Sequence, residues 1–422
     1  SGADSISIVG IVSASTVIGG SGNDYLIFTS ATTASSLVGN QGADSILISN
    51  SAVNTTVGGG QGNDYVSIGG VMSGGAVFGG SGQDTLYVAS LQGGASVFGG
   101  AAANIDDSIN LISIGTISSG LVYGSANSDS LLVGGSATAA TLAGGFGSDS
   151  ISINGSVSAA LIIGGDAANQ TSNLDSADTI TIGGAVKNST ISGLIGSDLI
   201  NIGGTIDGTF IYGGEDADTI SIVGAMSAGQ LVGGAGLDSI LVGGILQGGA
   251  SIFGGSNSLT AIDDNNYLSV AAISEGALYG AIDDDTILVG GAFTSATING
   301  AAGNDSISIV GAASAAYVFG GSGADSILIN GALQKGSSIF GGAASPDSLD
   351  LADYISIGGN VTSSSIYGAA GNDTLFIGGT ADSTFVDTGE DNDSVSVASN
   401  FTSSFIAIGL GADSLVITGA VG

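Results

Sequence analysis

Two apolar positions separated by one residue recur about every twenty residues along the chain. Ser5-Ile6-Ser7-Ile8, Tyr25-Leu26-Ile27-Phe28 and Ser45-Ile46-Leu47-Ile48 open the series, and Ser326-Ile327-Leu328-Ile329 and Ser414-Leu415-Val416-Ile417 come late in it. A period of two over four residues predicts a short β-strand with one buried face. A third apolar position follows some nine residues after each pair, as at Val17, Leu37, Val57, Val77, Val97, Ile298, Val318 and Ile339. It predicts a second, shorter strand on the opposite wall. Each repeat then reads turn, strand, turn, strand, with three aliphatics inward and Gly, Ala and Ser in the corners. A twenty-residue coil cannot bury a core by itself, so like coils must stack. The expected fold is an all-β parallel β-solenoid, one continuous domain over residues 1–422 with about twenty coils. A helical reading fails, because frequent glycine costs about 1 kcal/mol per residue inside a helix.

Each aliphatic pair is preceded by an aspartate, or in two coils by Asn110 or Asn266. Stacking places Asp4, Asp24, Asp44, Asp64, Asp84, Asp129, Asp149, Asp178, Asp198, Asp218, Asp238, Asp285, Asp305, Asp325, Asp353, Asp373, Asp393 and Asp413 in one column. At the ~4.8 Å spacing of paired strands, neighbouring carboxylates repel by about 3–4 kcal/mol at an effective dielectric of ~20. The chain has 36 acidic residues against two lysines, Lys187 and Lys335, and a formal net charge of −34. It cannot neutralise the column itself. A hard divalent cation can, and Ca²⁺ takes six to eight oxygen ligands from carboxylates and backbone carbonyls. The eighteen aspartates are therefore candidate Ca²⁺ ligands. The competing reading is that they only close Asx-turns, with no metal.

The turns around the aspartates, such as Gly19-Gly20-Ser21-Gly22-Asn23-Asp24-Tyr25-Leu26-Ile27 and Gly320-Gly321-Ser322-Gly323-Ala324-Asp325-Ser326-Ile327-Leu328, resemble the Gly-Gly-x-Gly-x-Asp-x-aliphatic-x repeat of RTX proteins. That repeat is a Ca²⁺-binding parallel β-helix motif. The resemblance runs from end to end and implies a right-handed β-roll, export from bacteria and folding driven by extracellular calcium. Two features depart from it. Only one turn of each coil carries the motif, and Gly two residues before the aspartate is replaced in several coils, as by Asn127, Asp216 and Asp391. One-sided calcium binding and a similar coil length also make the chain resemble the RTX-like ice-binding solenoids.

Four coils carry insertions in this turn, near 101–109, 166–177, 256–265 and 343–352. They add acidic pairs, Asp106 with Asp107, Asp166 with Asp175, Asp263 with Asp264 and Asp347 with Asp350. These read either as extra calcium clips or contacts to neighbouring molecules, or as solvated loops. Two rows bear on assembly. The middle residue of the first strand alternates Ser221, Leu241, Ser269, Leu288, Ser308, Leu328, Ser356, Phe376, Ser396, Val416, which suits interdigitation with a second copy. The residue after the second-strand core position is often aromatic: Phe78, Phe98, Tyr123, Tyr212, Phe253, Tyr279, Phe319, Phe340 and Tyr367. It forms either an outward stripe, and so an interface, or rings tucked into a corner of the core.

Composition narrows function. With two lysines and no Arg, the chain cannot replace counterions on a phosphate backbone, which argues against nucleic acid. No apolar run reaches the ~18 residues of a membrane helix, so no membrane insertion is expected. His, Cys and Arg are all absent and the aspartates recur rather than cluster, so no enzyme is expected. The chain opens inside a repeat without a signal peptide, as a processed product or a segment of a longer protein would. Neither terminus shows a cap, which would suit head-to-tail joining or excision from a longer array. The leading expectation is an extracellular structural protein at a bacterial cell surface, a surface-layer or filament subunit. Its partners would be copies of itself, head-to-tail or lateral, and cell-surface polysaccharide is a further candidate. The alternative is the calcium-rigidified rod or spacer of an RTX-type adhesin. Ice binding ranks lower, because the row three residues before the aspartate (Ser21, Gln41, Phe146, Ile195, Leu410) is irregular.

Overall fold

The structure, a computed structural model, describes residues 2–100, 108–166, 175–255, 264–342 and 350–422. These form strands and turns without a helix, wound as a parallel β-solenoid of about 19 turns. They divide into two units, Ser1–Glu215 and Asp216–Gly422. Among the described residues no helix is long and apolar enough to cross a membrane.

Each coil carries three strands rather than two. In the first coil they are β1 (Ser5–Ile8), β2 (Val12–Ser13) and β3 (Thr16–Ser21); in the second, β4 (Tyr25–Phe28), β5 (Thr32–Thr33) and β6 (Ser36–Gln41). Corresponding strands pair in parallel and in register, with Ile6 opposite Leu26, Val12 opposite Thr32 and Val17 opposite Leu37. The same pairing recurs within the second unit, where Ile220 meets Ile240 and Ile307 meets Ile327. In some coils the strands run together, as in Tyr65–Ser81 and Ser239–Gly255.

The predicted inward columns are buried. Leu26, Phe28 and Leu37 are inaccessible to solvent, as are Ile307, Ile309 and Val318 in the second unit. A fourth inward column belongs to the short strand. It runs Val12, Thr32, Ala52, Met72, Leu91, Ile117 in the first unit and Met226, Leu246, Ile273, Phe293, Ala313, Leu333 in the second, all buried. Periodicity missed it because the strand is two residues long and the column mixes Thr and Ala with large apolar side chains. Burying each large side chain contributes about 1.5–3 kcal/mol, so this column roughly adds a third to the core that the sequence pattern alone suggested.

The corner that carries the aspartate is tight. A Cβ on Gly22, whose φ is +114°, would lie 2.5 Å from the carbonyl oxygen of Gly2 in the previous coil. Asn127, Asp216 and Asp391 replace glycine here by adopting φ of 67°, 73° and 73°, the left-handed region that Asn and Asp tolerate best among residues with a side chain. A second polar column lines another corner. The Ser35 hydroxyl donates to the Thr33 carbonyl (2.8 Å) and accepts from the Ser15 amide (3.3 Å); Ser404 does the same for Thr402 and Thr384 (2.7 and 2.9 Å).

A candidate cation column of buried carboxyls

The aspartate sits where the turn enters the first strand, and there it closes a ladder between coils. The amide of Asp24 donates to Asp44 Oδ1 (2.7 Å), Asp44 to Asp64 (2.7 Å) and Asp64 to Asp84 (2.8 Å). In the second unit Asp285 donates to Asp305 (2.8 Å), Asp305 to Asp325 (2.7 Å) and Asp325 to Asp353 (2.8 Å). Asn110 and Asn266 occupy the same slot, accepting from Asp84 (3.0 Å) and Asp238 (2.9 Å) through their amide oxygens. The register assigned to these two asparagines is therefore correct, and the ladder needs an oxygen acceptor rather than a charge.

The column lies inside the corner. Asp24, Asp44, Asp64, Asp84, Asp129, Asp149, Asp178 and Asp198 in the first unit are buried, as are Asp218, Asp238, Asp285, Asp305, Asp325, Asp353, Asp373 and Asp393 in the second. Asp4 is exposed and Asp413 half-buried. Oδ1 is used by the ladder. Oδ2 of Asp24, Asp44, Asp64, Asp149, Asp178, Asp305, Asp325, Asp353 and Asp373 is buried without a hydrogen-bond partner. In coils without an insertion, such as those of Asp24, Asp44 and Asp305, this oxygen packs on the glycine five residues earlier; for Asp178 and Asp353 it packs on Gly164 and Gly341. A Cβ on Gly19 would lie 2.5 Å from Asp24 Oδ2 and 2.9 Å from the Gly39 carbonyl oxygen. Gly39 is related in the same way to Asp44 and the Gly59 carbonyl, and Gly300 to Asp305 and the Gly320 carbonyl. In these coils carboxyl and carbonyl oxygens of adjacent coils thus converge on a glycine with no room for a side chain, whereas Thr388 stands at this position before Asp393.

Burial dominates the electrostatics. Loss of hydration pushes the carboxyl of Asp64 up to about 7, Asp149 and Asp305 to about 8, and Asp178 and Asp353 to about 9. The ladder amide opposes each shift, and the neighbouring carboxylates add to it. An anionic column without a counter-charge is therefore costly at neutral pH, and protons or cations would relieve that cost.

The residues suit a hard cation only in part. Buried, unpartnered carboxylate oxygens beside backbone carbonyls are the right donor type. Among the described residues, however, no three acidic side chains converge on one point. Each ion would have to take one or two carboxylates and complete its shell from backbone carbonyls.

Two insertion coils bring further acids beside the column. Asp166 is buried and accepts a hydrogen bond from the Tyr123 hydroxyl, whose pKa is raised by burial and by that carboxylate. Asp175 is pushed up to about 6, mainly by burial. Asp350 is also buried and accepts from the Ala370 amide (3.1 Å). Asp175 and Asp350 each stand three residues before a column aspartate, a spacing visible in the sequence. Asp264 is exposed, and Asp106, Asp107, Asp263 and Asp347 lie outside the described residues. Lys187 pairs with Asp207 (2.9 Å) at the surface, away from the column.

The aromatic row faces outward. Its rings stack on one another: Phe78 on Phe98 at 5.1 Å, Phe253 on Tyr279 at 4.7 Å, Phe319 on Phe340 at 4.8 Å and Phe340 on Tyr367 at 4.7 Å. They are half-buried by each other, not tucked into the core.

No family model matches the chain, and no curated protein matches it. Among solved structures it is similar to a hyperactive, Ca²⁺-dependent, β-helical antifreeze protein from an Antarctic bacterium, at 16% identity over 94% of this chain and 84% of that one, with a TM-score of 0.31. It is also similar to a hyper-glycosylated TibA fragment modified by TibC, at 20% identity over 81% of this chain and 99% of that one, with a TM-score of 0.26.

Proposed function

We propose that the chain is a non-catalytic, self-assembling structural protein of the bacterial cell surface, whose corner column binds Ca²⁺ outside the cell. The observation that carries the metal half is the row of buried, unpartnered Oδ2 atoms in a chain with two lysines. The Gly-Gly-x-Gly-x-Asp turns support the same reading. The column aspartates would supply the charge and turn carbonyls the remaining ligands, and the bound ion would contribute a counter-charge that cross-links adjacent coils. Extracellular Ca²⁺ is abundant enough to fill such sites at modest affinity (Kd on the order of 10⁻⁴–10⁻³ M). Equilibrium dialysis against Ca²⁺, followed by elemental analysis, is expected to find several ions per chain. A chain that retains none at millimolar Ca²⁺ would leave protons as the neutralising species and remove the metal from this reading.

A further inference from the structure

In the second unit the outward face of the first strand of each coil carries no charge. Every outward position from Thr219 to Val416 on these strands is Ser, Thr, Tyr, Leu, Phe or Val. The other two strand faces of this unit each carry one acid, Asp382 on a short strand and Asp387 beside the aromatic stack; the corners carry Glu275 and Lys335, and the aspartate turns Asp284 and Asp391. The neutral face is also corrugated. Ser308 pairs with Leu328, Leu328 with Ser356, Ser356 with Phe376 and Phe376 with Ser396. Leu328 and Phe376 are 37% and 36% exposed, while Ser356 between them is 7% exposed. Along this row apolar ridges thus stand two coils, or roughly 10 Å, apart with serine between them, and Tyr267 and Tyr354 stand exposed at the other outward position of two serine coils.

We propose that this face is the lateral interface of the protein and that its occupant is the same face of a second copy, shifted by one coil so that ridges such as Leu328 and Phe376 enter the partner's grooves. This rests on the self-assembly reading above and names the surface that performs it. Two arguments select a second copy. Strongly anionic molecules repel one another everywhere except where the approaching surfaces are neutral. Ridges repeating every two coils are matched along their length only by a body with the same axial repeat, and a second solenoid has it.

Sedimentation velocity of the whole chain in Ca²⁺, over a range of concentrations, tests this. The wild type is expected to associate. Leu328→Asp and Leu328→Lys are each expected to raise the concentration needed by at least about tenfold, and mixing the two to restore association. Ser338→Asp, on the aromatic face, is expected to associate like the wild type. Circular dichroism checks that each variant is folded, and Ser308→Asp, which removes no apolar contact, replaces Leu328→Asp if that variant is not. Unchanged association of the Leu328 and Ser308 variants, or its loss in Ser338→Asp, overturns the assignment of the face while leaving self-assembly standing. A wild type that is monomeric throughout overturns both.

Discussion

At the residue scale, the column aspartate has two separable roles. Oδ1 accepts the amide of the preceding coil, which an asparagine oxygen does equally well at Asn110 and Asn266. The charge and Oδ2 contribute nothing to that ladder. Asp305→Asn should therefore keep the 2.8 Å bond from Asp285 while deleting a buried charge flanked by two others. In excess chelator at pH 8 its melting temperature is expected to exceed that of the wild type. In saturating Ca²⁺ it is expected to melt lower and to bind fewer ions. A variant less stable than the wild type in both conditions would mean that the ladder needs the carboxylate's charge and not only its oxygen. The two native asparagines already hint at this in the sequence, but the burial of the column does not show there: a Gly-x-Asp turn reads equally well as exposed. At Asp24 and Asp305 the carboxyl is placed inside against Gly19 and Gly300, and that contact appears only when the coil closes.

At the scale of the element, strand identity was legible where a column is uniformly aliphatic, and illegible where the core accepts Thr32, Ala52 and Met72 at one level. A two-residue strand has no period to detect. The aromatic row is visible in the sequence, but periodicity does not say which side of the sheet it takes. Stacking resolves it, because each ring covers its neighbour and stays half-exposed. Phe340 stacks on both Phe319 and Tyr367. Phe340→Ala is expected to cost about 1–3 kcal/mol, from two ring pairs at ~0.5–1.5 each. Ile339→Ala, in the adjacent core position, should cost about 2–5 kcal/mol. Urea denaturation of the two variants compares these directly. A Phe340→Ala cost clearly above that of Ile339→Ala would return the rings to the core.

For the molecule as a whole, the formal charge of −34 overstates the charge expressed at the surface, since most of the column is buried and burial raises the proton affinity of Asp64, Asp149, Asp178, Asp305 and Asp353. Its folded pKa values, about 7 to 9 at Asp64, Asp149, Asp178, Asp305 and Asp353, lie above the unfolded value near 3.9. Between those limits the folded state holds more protons than the unfolded state. Stability without metal is therefore greatest below about pH 4 as far as these groups are concerned, and falls as pH rises through 7 to 9. A cation that replaces the protons should cancel this fall. The most direct measurement is the melting temperature of the wild type from pH 5 to pH 9, in excess chelator and in millimolar Ca²⁺. The account predicts a midpoint that drops steadily with pH in chelator and is restored by Ca²⁺ most strongly at the alkaline end. A midpoint that is flat or rising with pH in chelator and unmoved by Ca²⁺ would contradict it.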